Sequence, residues 1–254
     1  MADSVIAAQL YTLRDFCKTP ADIQSTLKKL SKTGYRAVQL SALGPIAPAE
    51  LKEIADGEGL RIIATHIDYS QICQEPQVVI DEHRLWDCPH VAIGGLPGEF
   101  RSGEGFARFA REASTAVRPL IEAGFTFSYH NHSFELERFG GRTGLEILAE
   151  ESDPKAFSFE VDTYWIQHGG GNPVSWLRRL KDRMCLVHFK DMVMKGSQQL
   201  YAEVGEGNLE WPGILQACRD ARIAWYIVEQ DVCQRDPFES MEISLRNLRK
   251  MGLN

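Results

Sequence analysis

No apolar stretch in this sequence approaches the roughly 20 residues that a membrane-spanning helix needs. Clustered lysines and arginines are also missing: 28 basic residues stand against 35 acidic ones, for a net charge of −7. A nucleic-acid surface requires such clusters to neutralise phosphates. Neither a membrane nor a nucleic acid is therefore expected as a partner, and the acidic surplus reads as solubility. The first residues, MADSVIAAQLYTLRDF, carry an early Asp and too short an apolar run for a secretory leader. The six cysteines (Cys17, Cys73, Cys88, Cys185, Cys218 and Cys233) have no CxxC spacing. They read as free thiols of a reducing cytoplasm, mostly packing residues, rather than a structural zinc site. No Gly-rich dinucleotide fingerprint follows the first apolar run, and no linker or low-complexity tract interrupts the chain.

What the sequence does have is alternation. Short apolar runs at 4–10, 37–41, 61–67, 90–94, 125–131, 157–163, 186–191 and 225–230 read as strands. Amphipathic segments between them read as helices. Thr19 and Pro20 open one helix as cap and first helical residue, and Asn172 and Pro173 open another. Ile23, Leu27 and Leu30 recur at i, i+4 and i+7 and mark a buried helix face. Single helices are expected over about 105–123, 143–151 and 211–221, and a last one from Pro237. Eight strand–helix pairs in 254 residues imply parallel strands joined by right-handed crossovers. An α/β fold of the (β/α)8 TIM barrel type, a single domain over 1–254, is preferred to a doubly wound open sheet.

In such a barrel the chemistry collects at the C-terminal strand ends. Polar residues fall there. Glu160 and Asp162 are two apart and share the inward side of the sixth strand, as His188 and Lys190 do on the seventh and Glu229 and Asp231 on the eighth. His130 and His132 belong to the fifth strand, Glu135 to the loop beyond it, and His66 ends the third. Buried carboxylates are costly unless paired or bound to metal. Glu135, Asp162, His188 and Glu229 are accordingly expected to hold one divalent metal ion. Mixed carboxylate and imidazole donors suit Mn, Co, Zn, Ni or Fe, and Mg less well.

The segments QLYTLR (9–14), YHNHSFE (129–135), EVDTYW (160–165), VHFKD (187–191), VGEG (204–207) and VEQD (228–231) together resemble the xylose isomerase-like barrels. These are the sugar phosphate isomerase/epimerase group, with inosose dehydratase and the ketose 3-epimerases among them. The resemblance implies a metal held by Glu, Asp, His and Glu from strands five to eight. Asp162, His188 and Glu229 carry over directly. For the first Glu, Glu135 is the candidate, with His130 or His132 as alternatives. Trp165 stands where ketose 3-epimerases carry a substrate-contacting His, and Met194 where they carry an Arg. A ketose 3-epimerase in the narrow sense is therefore not expected.

What the resemblance implies is an enzyme of carbohydrate metabolism acting next to the carbonyl of a small sugar or polyol ketone. Glu135, Glu229 and His132 would move the proton of an enediolate, and His66, His130, Trp165 and Lys190 would bind substrate. Phe16 could offer a second flat face. Lys190 could instead balance Glu160 or Asp191. The GEG turn at 205–207 could close the pocket or be a plain turn. The Gly169–Gly171 run could cradle a phosphate or simply lead into the Asn172 cap. Isomerase or epimerase is the first reading, and a dehydratase or other lyase the second. A DNA-repair endonuclease of the same barrel type would need more histidines and a basic face. A non-catalytic sugar-binding barrel would bind without turnover. A homo-oligomer is possible, with Trp86 or Trp176 in an interface or in the core.

Overall fold

The computed structural model describes residues 5–253. Ser4, assigned above to the first strand, and both ends of the expected 1–254 domain lie outside the described residues. The eight barrel strands are β1 (Val5–Gln9), β2 (Ala37–Leu40), β3 (Arg61–His66), β4 (His90–Ile93), β5 (Thr126–His130), β6 (Ser158–Asp162), β7 (Leu186–Phe189) and β8 (Trp225–Val228). All pair in parallel in chain order, and β8 closes onto β1 from Val5↔Trp225 to Ala8↔Val228. One or two α-helices follow every strand. The chain is thus a (β/α)8 barrel, and closure excludes the open sheet.

The expected caps form. Thr19 accepts from the Asp22 N–H and Asp22 returns the bond to the Thr19 N–H, ahead of a helix whose Ile23, Leu27 and Leu30 are buried. Asn172 accepts from the Ser175 N–H at 2.9 Å. Trp176 lies in the core, whereas Trp86 is half-buried and donates its indole N–H to the Pro48 carbonyl. The helix expected over 105–123 is two helices, Gly103–Ala116 and Arg118–Glu122. Pro119 has no N–H to continue the first.

Layering inside the barrel positions the site. Ala7, Ala37, Ile63, Ala64, Leu186 and Ile227 form a small buried cluster of their own, separate from the main core between sheet and helices. Two residues beyond five of them stand Gln9, Gln39, His66, His188 and Glu229. Side chains two apart on a strand share a face. An apolar plug therefore fills one end of the barrel, and a polar layer sits directly above it toward the C-terminal mouth.

Beyond β7 the chain makes an antiparallel hairpin, Asp191–Lys195 with Gln198–Ala202, that was not expected from the sequence. Asp191, fully buried, ties the following loop down. Its Oδ1 accepts from the N–H groups of Met192 and Leu209, and its Oδ2 from those of Gly205 and Gly207 and the Trp211 indole. The GEG segment is therefore a pinned turn. Gly207 permits the close approach, since a Cβ there would collide with the Asp191 carboxylate. Replacing Asp191 with Ala strands five N–H donors at once and should lower stability by about 3 kcal/mol or more. Urea unfolding measures this, and a loss below about 1 kcal/mol would show the loop to be held by something else.

Candidate active site

The mouth-side ends of β5 to β8 bring four side chains together. His130 Nε2 lies 3.3 Å from Asp162 Oδ2 and 4.0 Å from Glu229 Oε2. His188 Nδ1 lies 3.0 Å from Glu229 Oε2 and 3.9 Å from Asp162 Oδ2. One donor atom from each falls within 4.8 Å of the others, and all four residues are buried. An ion with bonds of about 2.0–2.2 Å keeps neighbouring ligand atoms roughly 3–4 Å apart. Two imidazole nitrogens and two carboxylate oxygens at these separations fit a divalent transition metal.

Local structure explains the convergence. Asp162 ends β6 and at once caps the helix Thr163–His168, its Oδ1 accepting from the Trp165 N–H at 2.9 Å. That bond fixes the carboxylate and leaves Oδ2 facing the cluster. Asn131, next to His130, accepts the Asp162 N–H at 3.0 Å and ties β5 to β6 at the same level.

His188 is oriented from below. Glu160, fully buried on β6, accepts from Gln39 Nε2 (2.8 Å) and from His66 Nε2 (2.5 Å). An ionised carboxylate can only accept, so Gln39 must turn its NH2 toward Glu160 and its oxygen the other way. That oxygen receives Gln9 Nε2 at 2.9 Å and His188 Nε2 at 2.7 Å. His188 therefore donates from Nε2, which leaves Nδ1 facing Glu229 and Asp162 as the nitrogen that would bind a metal once its own proton is given up. Burial opposes charge on His188, but the carboxylates of Glu160 and Glu229 outweigh it and raise its pKa to about 10. Burial likewise opposes charge on Glu229. The Lys190 ammonium and His188 outweigh that and hold its carboxyl well below the usual range. His130 is pushed well down, chiefly by burial.

A cavity of about 370 Å³ opens above this cluster. Tyr11, Ser41, His66, Asp68, His130, His132, Glu229 and Asp231 are among its lining. Of the residues expected from the sequence, Asp162, His188 and Glu229 come together, and His130 joins them. Glu135 does not. Its carboxylate accepts from the Tyr129 hydroxyl (2.6 Å) and the His132 N–H (2.9 Å), and burial pushes its pKa up to about 7. His66 and His132 line the cavity. Trp165 stands behind them, its ring centroid 5.2 Å from that of His132. Lys190 pairs with Asp162, Glu229 and Asp231, not with Glu160 or Asp191. The amides of Gly169, Gly170 and Gly171 all close the preceding helix, so the run offers no phosphate cradle. Gln9 and Gln39 went unnoticed in the sequence, although their place one strand period above Ala7 and Ala37 could have revealed them.

A closed parallel barrel with buried acids and imidazoles at its strand ends has the architecture of the sugar-transforming TIM barrels. The chain belongs to the xylose isomerase-like TIM barrel family, whose model matches residues 14–251. It is 27% identical to an inosose dehydratase of Lacticaseibacillus casei, with 85% of each chain covered. Among solved structures it resembles a sugar phosphate isomerase/epimerase from Parabacteroides distasonis, with a TM-score of 0.82, 23% identity, and 99% of this chain and 96% of that one covered. It also resembles a D-allulose 3-epimerase from Methylomonas sp., with a TM-score of 0.69, 14% identity and 98% of each chain covered. Epimerases and dehydratases thus share this barrel.

Two outcomes follow from the geometry. His130→Ala should lose bound metal on dialysis, whereas Glu135→Ala should keep it; metal analysis of the two purified variants reads this directly, and the reverse order would restore Glu135 as the ligand. Gln39→Leu removes the acceptor that sets the His188 tautomer and should weaken metal affinity about 10–100-fold. Competition against a chromophoric chelator, with a melting curve to confirm folding, provides the measurement.

Proposed function

We propose that this chain is a metal-dependent sugar isomerase or epimerase that moves a proton next to the carbonyl of an uncharged sugar or polyol ketone. The observation that carries the reading is the convergence of His130, Asp162, His188 and Glu229, from four successive strands, beneath a cavity large enough for a monosaccharide. These four residues would hold the ion. When bound, a divalent metal supplies Lewis-acid polarisation of a substrate carbonyl, which acidifies the neighbouring C–H.

The remaining work falls to the chain's own groups. Glu229 and His132 both line the cavity and are the candidates to remove and return the carbon-bound proton. Return to the adjacent carbon is isomerisation; return to the opposite face of the same carbon is epimerisation. His132 has a buried Nδ1 with no hydrogen-bond partner among the described residues. Glu135 acts on His132 from behind, through the backbone N–H, and serves as a positioning residue. His66, anchored by Glu160, offers a polar edge for substrate hydroxyls.

Charge favours a neutral substrate. The cavity lining includes Asp68, Glu229 and Asp231 and no Lys or Arg. A phosphate placed there would meet like charge without the arginine or lysine clamp that phosphate sites use. The second reading, a lyase, rests on the 27% identity to an inosose dehydratase. Elimination starts from the same proton removal and differs only in the β-substituent that leaves.

The test is incubation of metal-reconstituted protein in heavy water with unphosphorylated ketoses, inososes and matching sugar phosphates. Deuterium should enter neutral substrates in preference to the phosphates. Ketose or epimer products support the first reading, and loss of water the second. Glu229→Gln should lower turnover about 10²–10⁴-fold with its melting temperature retained. Full exchange after metal removal, or in that variant, would refute the proposal.

A further inference from the structure

Lys190 is almost completely buried, and its ammonium touches three carboxylates. Nζ lies 2.6 Å from Asp231 Oδ2, 2.7 Å from Glu229 Oε2 and 3.1 Å from Asp162 Oδ2. The ammonium donates a hydrogen bond to Asp231, and its contacts with Glu229 and Asp162 are ion pairs, so all three carboxylates draw on one positive charge. Two of the three oxygens are the very ones that face the metal cluster. Glu229 Oε2 is the atom 3.0 Å from His188 Nδ1, and Asp162 Oδ2 is the atom 3.3 Å from His130 Nε2. The third, on Asp231, lies outside the cluster in the wall of the cavity.

We infer that Lys190 is the resident counter-cation of the two ligand carboxylates, and that metal uptake displaces its ammonium onto Asp231. The inference rests on the metal-site reading proposed above. Two cations sharing the same pair of oxygens repel strongly in a buried setting. Asp231 keeps hold of the displaced ammonium, so the charge is moved rather than stranded. It is moved toward the cavity, with its hydrogen bond to Asp231 kept. Metal loading thereby turns Lys190 into a cavity-side hydrogen-bond donor whose charge Asp231 neutralises.

The experiment is equilibrium titration of the full chain with Mn²⁺ and Zn²⁺, together with a crystal structure of the metal-loaded parent. Lys190→Gln, which keeps a hydrogen-bond donor but removes the competing charge, should bind metal at least about tenfold more tightly. Asp231→Asn, which removes the receiving carboxylate, should bind it more weakly. In the loaded parent, Nζ should lie beyond hydrogen-bond distance of Asp162 and Glu229 and within it of Asp231. An unchanged or weaker affinity in Lys190→Gln, or a loaded structure that retains all three contacts, overturns the inference while leaving the metal site intact. A parent that binds neither ion overturns the site reading itself. Should Lys190→Gln fail to fold, Asp231→Asn and the loaded structure decide alone.

Discussion

The structure turns on one constraint: Glu160, Asp162, Glu229 and Asp231 are gathered around a barrel axis where Lys190 is the lone paired lysine or arginine among the described residues. Removing a carboxylate from water costs several kcal/mol, and the cost is recovered only where charge and hydrogen bonds are nearly complete. The barrel meets this in two tiers. Below, Glu160 is satisfied by Gln39 and His66. Above, Asp162 and Glu229 share Lys190 and the two imidazoles. The same surplus that makes the axis expensive would suit a small, highly charged cation.

The tiers are coupled through one ring. His188 has Nε2 in the lower network and Nδ1 in the upper cluster. Because Gln39 is oriented by Glu160, a choice made at the buried carboxylate is transmitted to the face of the imidazole that meets Glu229. Gln9 completes the chain from β1 across to β7. Closure of the barrel is what makes such a connection possible. In an open sheet β1 and β2 would lie at a distance from β7, and no amide could bridge them.

Much of this was legible in the sequence, for a definite reason. Strand period two places Asp162, His188 and Glu229 on the inward side at the mouth, and that period is visible without a structure. Glu135 shows where such reasoning stops. It follows the strand by five residues, and its direction is set by which donors capture it first. The Tyr129 hydroxyl and the His132 amide do so, leaving the axis to His130. Of the two roles the sequence allows Lys190, a substrate contact or an ion pair with Glu160 or Asp191, the named ion pairs do not form, because cross-strand pairing in a barrel depends on stagger that no local pattern encodes. The hairpin beginning at Asp191 was missed similarly. Its cause is a buried carboxylate that collects N–H donors, backbone and indole, from up to 20 residues away.

Why one barrel can serve both epimerases and dehydratases follows from what a gathered set of acids and imidazoles can and cannot decide. Gathering the acids and imidazoles prepares the site to hold charge and to take a proton from carbon. Neither task specifies where the proton returns or whether a neighbouring substituent leaves. On the proposed function, those choices would fall to groups at the cavity wall: His132, His66, Asp231 and the ammonium that Asp231 holds. They sit on loops and strand ends whose positions are set by contacts outside the cluster, such as Glu135 behind His132. His132, whose ring Nδ1 has no hydrogen-bond partner among the described residues, can vary without disturbing the charge balance beneath, whereas His66 and Asp231 are each tied to a buried charge.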